Sequence, residues 1–146
     1  MTWEKDLPYF DTDETQCKGS GVVKLDPNFA VHMPYLRHTW GGPLSSNSCC
    51  RSPEHNDAVG GHPRSLHLTD NPHHPSQGAM ACDVRWASWP QKKQLRFARL
   101  AWSLGWSVGL HHSFCHVDRR ADIGLDQTVF YYGAWHGGFT HHDVMS

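Results

Sequence analysis

The sequence predicts an α+β domain in which helices pack on a small antiparallel sheet. Two observations carry this reading. Helical stretches open with a capping residue followed by proline, and short strand-like runs lie between them, separated by turns rich in Gly and Pro. A third observation sets the domain count. No internal repeat and no linker divides the 146 residues, so a single domain over 1–146 is expected.

The elements follow in chain order. Leu25 to Trp40 reads as a helix, with Asp26 as N-cap, Pro27 at the first helical position, and Phe29, Met33 and Leu36 on one apolar face. Pro34 is expected to kink or divide it, and Gly41-Gly42-Pro43 ends it. Leu44 to Cys49 is a short strand. Ser52-Pro53-Glu54 opens a second helix by the same cap-and-proline logic, closed by Gly60-Gly61. Leu68 to Gly78 is a polar loop. Met80 to Trp86 is a strand with Ala81, Asp83 and Arg85 on one face and Met80, Cys82 and Val84 on the other. Ser88 to Leu104 is the clearest helix. Ser88 can cap it, Pro90 lies in its first turn, and Gly105 follows it; its apolar face comprises Leu95, Ala98, Ala101 and Trp102. Trp106 to Leu110, Phe114 to Asp118 and Val129 to Ala134 complete the strands.

Composition narrows the function. Lys plus Arg number 13 against 14 Asp plus Glu, a formal charge of -1, so no basic excess exists for sequence-independent nucleic-acid binding. No apolar run approaches the length of a membrane-spanning helix. Met1 to Asp11 lacks a basic start followed by an apolar stretch, which predicts cytoplasmic synthesis without a signal peptide. Five Cys, an odd number with no C-x-x-C pair, argue against both a disulfide framework and a zinc ribbon; they read as small buried residues. The 13 His are in excess for this length and point to metal or proton chemistry.

Three segments concentrate that chemistry: Cys50-Arg51-Ser52-Pro53-Glu54-His55-Asn56 with Val59-Gly60-Gly61; Ser65-Leu66-His67 with Ala81-Cys82-Asp83; and Phe114-Cys115-His116-Val117-Asp118. Two His and one Asp on separate elements can make a three-ligand zinc site with an open fourth position, as a catalytic zinc requires. Co²⁺ or Mn²⁺ also suits such donors.

These segments, in this order, resemble the zinc D-alanyl-D-alanine carboxypeptidases and L-alanyl-D-glutamate endopeptidases of peptidoglycan, a family that includes many phage endolysins. The family pattern reads S-G-Y-R-S-P-x-x-N, V-G-G, S-x-H-x-x-G-x-A-x-D and a later H-x-D or H-x-H. The resemblance runs from about Phe10 to Tyr132. It implies Zn²⁺ as cofactor and His67, Asp83 and His116 as its ligands. It also implies Arg51 as a clamp for a substrate carboxylate and His111, five residues before the last ligand, as the catalytic His, with His112 as the alternative. Asp118 is left to orient a ligand or share the work of a base. The chain departs from the pattern between its first two ligands, where a segment around Asp70 to Gly78 is inserted and Ala79 replaces Gly. Asp70 is therefore the rival to Asp83, although it lacks the A-x-D strand context. Ser113 stands where some members have an acidic catalytic residue.

Within the inserted loop, His73 and His74 read as solvent-exposed, with lining of the cleft as the lesser alternative. Tyr131, Tyr132 and Trp135 read as core, with stacking on substrate as the other use. The resemblance implies a monomeric zinc peptidase cutting the peptidoglycan stem peptide at the cell wall, reached through the host envelope if it is a phage lysin. A D,D-carboxypeptidase, or a virion-associated zinc module that has lost hydrolysis, is the alternative.

Overall fold

The structure is a computed structural model describing residues 10, 12–133 and 135–146. Its helices are α1 (Thr12–Thr15), α2 (Pro27–Trp40), α3 (Pro53–Ala58), α4 (Gln91–Ser103) and α5 (His141–Met145), with a 3₁₀ turn over Arg120–Ile123. The strands are β1 (Ser46–Ser48), β2 (Ala81–Arg85), β3 (Ser107–Leu110), β4 (Phe114–Asp118) and β5 (Val129–Tyr131). They form one sheet in the order β1-β2-β4-β3-β5. The fold is α+β as expected. Pairing is antiparallel except at one edge, where β5 runs parallel to β3 after the long connection through the 3₁₀ turn. The expected end of that strand at Ala134 falls outside the described residues, as does nearly all of the Met1 to Asp11 segment.

Helix α2 begins where its cap requires. Asp26 is extended, and its side chain accepts a hydrogen bond from the Asn28 backbone N–H. Phe29, Met33 and Leu36 are all fully buried. Pro34 does not divide the helix, which continues to Trp40 and ends at Gly41 with φ 80°. The expected break is absent because three apolar anchors straddle the proline and hold both halves on the core. In α4, Ser88 does not cap. The helix begins one residue after Pro90, which has no side-chain cap, and Gln94 instead donates to the Trp86 carbonyl. Its buried face centres on Phe97, Ala98 and Ala101, rotated from the expected stripe because Phe97 packs edge-on against Trp40 at 5.2 Å.

These helices cover one face of the sheet. Cys82 and Val84 on β2 pair with Val117 and Cys115 on β4, and all four are buried in the core with Trp86 and Trp106. Strand alternation therefore sends Asp83, His116 and Asp118 to the opposite face. None of the five Cys is disulfide-bonded, and all are buried.

Candidate metal centre

The β2–β4 register sets Asp83 directly opposite His116, so both side chains rise from neighbouring strands on the face away from the core. His67 arrives from the segment after α3. The Arg51 backbone N–H donates to the His67 carbonyl at 2.8 Å, and the Thr69 N–H donates to the Arg51 carbonyl at 2.9 Å. This two-bond bridge aligns the Arg51 and His67 segments side by side. Ser52 fixes the approach by capping α3 through the His55 N–H.

The donors converge. His67 Nε2 lies 3.2 Å and His116 Nδ1 lies 3.0 Å from Asp83 Oδ1. The three ligand atoms lie within 4.8 Å of one another, and all three residues are buried. Zinc bound at about 2.0–2.1 Å in tetrahedral geometry separates its ligand atoms by roughly 3.3 Å, so this nitrogen–oxygen–nitrogen set fits zinc. The remaining ring nitrogens are also engaged. His67 Nδ1 donates to the Cys49 carbonyl at 2.8 Å, and His116 Nε2 meets Asp118 Oδ2 at 2.8 Å. Such outer partners fix which nitrogen each imidazole presents to a metal. Burial pushes the His116 imidazole down, but the Asp118 and Asp83 carboxylates outweigh it and raise it to about 9. Burial likewise opposes ionisation of Asp83, yet the His67 charge and the His116 hydrogen bond hold its carboxyl well below the ordinary range.

Arg51 and Asp118 join the cluster. Arg51 Nη2 is 3.6 Å from Asp83 Oδ2, and its guanidinium also reaches Ser48 Oγ and Asn56 Oδ1. Its side chain keeps 20% of its exposure, toward the cavity it lines. Asp118 is fully buried and bound by the Arg120 backbone and guanidinium as well as by His116. Its place is behind His116, holding that ring.

His111 stands apart. Its ring stacks on Phe114 with centroids 4.3 Å apart and meets Tyr132 edge-on. Its Nδ1 accepts from the Ser113 backbone N–H. Phe114 and Tyr132 line the cavity over the cluster; His111 is one ring's thickness behind them. His112 is exposed beside it. Burial, then the neighbouring His112 charge, lowers the His111 pKa.

The inserted loop does not supply a ligand. Asp70 points outward and pairs with Lys24 at 2.9 Å. His73 is exposed, but His74 is half-buried and lines the cavity, contrary to its reading as a solvent residue. Tyr132 also lines the cavity rather than the core. Burial, then the Asp83 charge, raises its phenol, so it stays protonated. Tyr131 is exposed and bonds His141, while Trp135 packs with Trp86 and Phe139. For both His74 and Tyr132 the cavity was the secondary reading in the sequence, because they reach it through long-range packing that no local pattern encodes.

The cavity above the donors has a volume of about 600 Å³. A family model described as Peptidase M15 matches residues 8–118, which include all three donors. No curated protein and no solved structure matches the chain.

Proposed function

The chain belongs to the peptidase M15 family, whose members are zinc-dependent, and from that premise we propose that it is an endopeptidase that cuts the peptidoglycan stem peptide. The observation that carries the reading is the His67–Asp83–His116 donor set on the floor of a cavity large enough for a short peptide. His67 through Nε2, His116 through Nδ1 and Asp83 through Oδ1 would hold the metal. When bound, zinc supplies Lewis acidity toward the scissile carbonyl and toward water.

The chain's own residues divide the remaining work. Arg51 presents a planar fork to the cavity and positions a substrate carboxylate. Asp118 orients His116 rather than moving protons, since both its oxygens are committed to Arg120 and His116. Tyr132 holds its proton at neutral pH, so it donates to oxygen that develops negative charge but accepts no proton. His111 is the imidazole we assign to accept a proton, although its ring is stacked on Phe114 behind the cavity wall. Replacing His111 by Ala should leave zinc content near wild type and lower turnover by about 10²–10⁴-fold. His112→Ala should do much less. Retained activity in His111→Ala would move the proton work to another residue.

The protein is proposed to act as a monomer at the cell wall, in the manner of an endolysin. Among the described residues no helix is long and apolar enough to cross a membrane. The test is to incubate zinc-loaded protein with purified peptidoglycan and weigh the released peptides. Fragments cut inside the stem support the endopeptidase. Loss of a single terminal D-alanine would indicate a D,D-carboxypeptidase. Zinc binding with no release would indicate a binding module.

A further inference from the structure

The cavity is lined by more basic side chains than the metal site and its supports use. Arg51, Arg64 and Arg120 line it, together with His62 and His74. Its lining carboxylates are Asp83 and Asp118, and both are buried and committed. Asp83 serves His67, His116 and Arg51; Asp118 serves His116 and Arg120. Arg64 is exposed and, among the described residues, has no ion-pair partner. His74 faces the same cavity from the inserted loop.

That loop is fastened along its length. Lys24 pairs with Asp70, the Asn71 side chain donates to the Ser65 carbonyl, the His73 N–H donates to Asn71, and the Gln77 N–H donates to Asp26. The insertion therefore presents His74 from a fixed backbone beside the segment that carries Arg64. Burial, then the Arg64, His73 and Arg120 charges, lowers the His74 pKa, which agrees with a positive field at this end of the cavity. An imidazole N–H beside a guanidinium is a donor pair suited to a carboxylate.

We propose that Arg64 and His74 form a second anion-binding position at the cavity, distinct from Arg51, which selects acidic peptides carrying two carboxylates over their amidated counterparts. The proposal rests on the peptidase reading for the identity of the ligand as a peptide. It assigns the inserted loop a role in specificity: one carboxylate goes to Arg51 and the other to Arg64 and His74.

The test uses zinc-loaded protein and two synthetic stem peptides that share the α-carboxylate assigned to Arg51 and differ only in that the side-chain carboxylate of one is a carboxamide in the other. Cleavage is followed as kcat/KM and binding by calorimetry. The wild type should prefer the acid peptide by roughly ten- to a hundredfold, the worth of a hydrogen bond to a charged group. In Arg64→Gln and in His74→Ala the acid-to-amide ratio should fall toward one. His73→Ala, which removes an exposed imidazole from the same loop, should keep the wild-type ratio. A wild-type ratio near one would overturn the proposal, as would a ratio that survives both substitutions or falls equally in His73→Ala. Preferential binding of the acid peptide without cleavage would support the anion position while contradicting hydrolysis. Cleavage without preference would support hydrolysis and overturn the anion position.

Discussion

Asp118 shows how one buried carboxylate can matter without touching substrate. It accepts from His116 and is itself held by Arg120, so the His116 ring is locked with Nδ1 toward Asp83. Asp118→Asn preserves the shape but removes the charge that this chain of bonds needs. Zinc affinity should fall by about 10–100-fold with the fold retained, measured by competition with a chromogenic chelator. Unchanged affinity would show that His116 orients itself. Cys50 gives a stability prediction at the same scale. Burial pushes its thiol up to about 12 from an ordinary value near 9. Its folded pKa is raised, so its contribution is complete below about pH 9 and is lost as pH rises from 9 toward 12. Thermal unfolding should show an alkaline loss of stability across that window, smaller in Cys50→Ala. In the native protein at pH 8, iodoacetamide should leave Cys50 unmodified, as read by peptide mass.

At the level of elements, the site depends on how closely β3 approaches its neighbours. Gly109 pairs with His116 on one side and with Phe130 on the other. A β-carbon there would come within 2.6 Å of the Phe130 ring and 3.0 Å of His116 Cβ. Gly109→Ala must therefore move Phe130, whose ring flanks His116, or His116 itself. We expect a loss of about 1–3 kcal/mol in unfolding free energy, accompanied by weaker zinc binding. Denaturant unfolding together with a zinc titration checks both, and unchanged values would mean that the sheet yields elsewhere. The elements most legible in the sequence are those with local signals. Asp26-Pro27 and Ser52-Pro53 start their helices as read, and Phe114–Asp118 is a strand at its expected bounds. The parallel seating of β5 on β3 is set by packing across a long connection, which no local pattern encodes. Pro34 likewise passes inside α2 because tertiary burial of Phe29, Met33 and Leu36 outweighs a local preference.

For the whole molecule, the sheet is a partition. One face builds the core with Cys82, Val84, Cys115 and Val117, and the other carries Asp83, His116 and Asp118. Strict strand alternation made this division readable from residues 81–85 and 114–118 before any coordinates. The cavity was not readable, because His74, Phe114 and Tyr132 come to it from three separate segments. The choice between Asp83 and Asp70 was also open in the sequence, since the insertion lengthens the spacing after His67. In the structure Asp83 is 4% exposed among the imidazoles, whereas Asp70 is turned outward to Lys24. The central claim is that His67, Asp83 and His116 hold one zinc, and it is tested most directly by the zinc-to-protein ratio of purified wild type, Asp83→Ala and Asp70→Ala, measured by plasma mass spectrometry. The account predicts one zinc per chain in the wild type and in Asp70→Ala and almost none in Asp83→Ala; full occupancy in Asp83→Ala, or loss in Asp70→Ala instead, would contradict it.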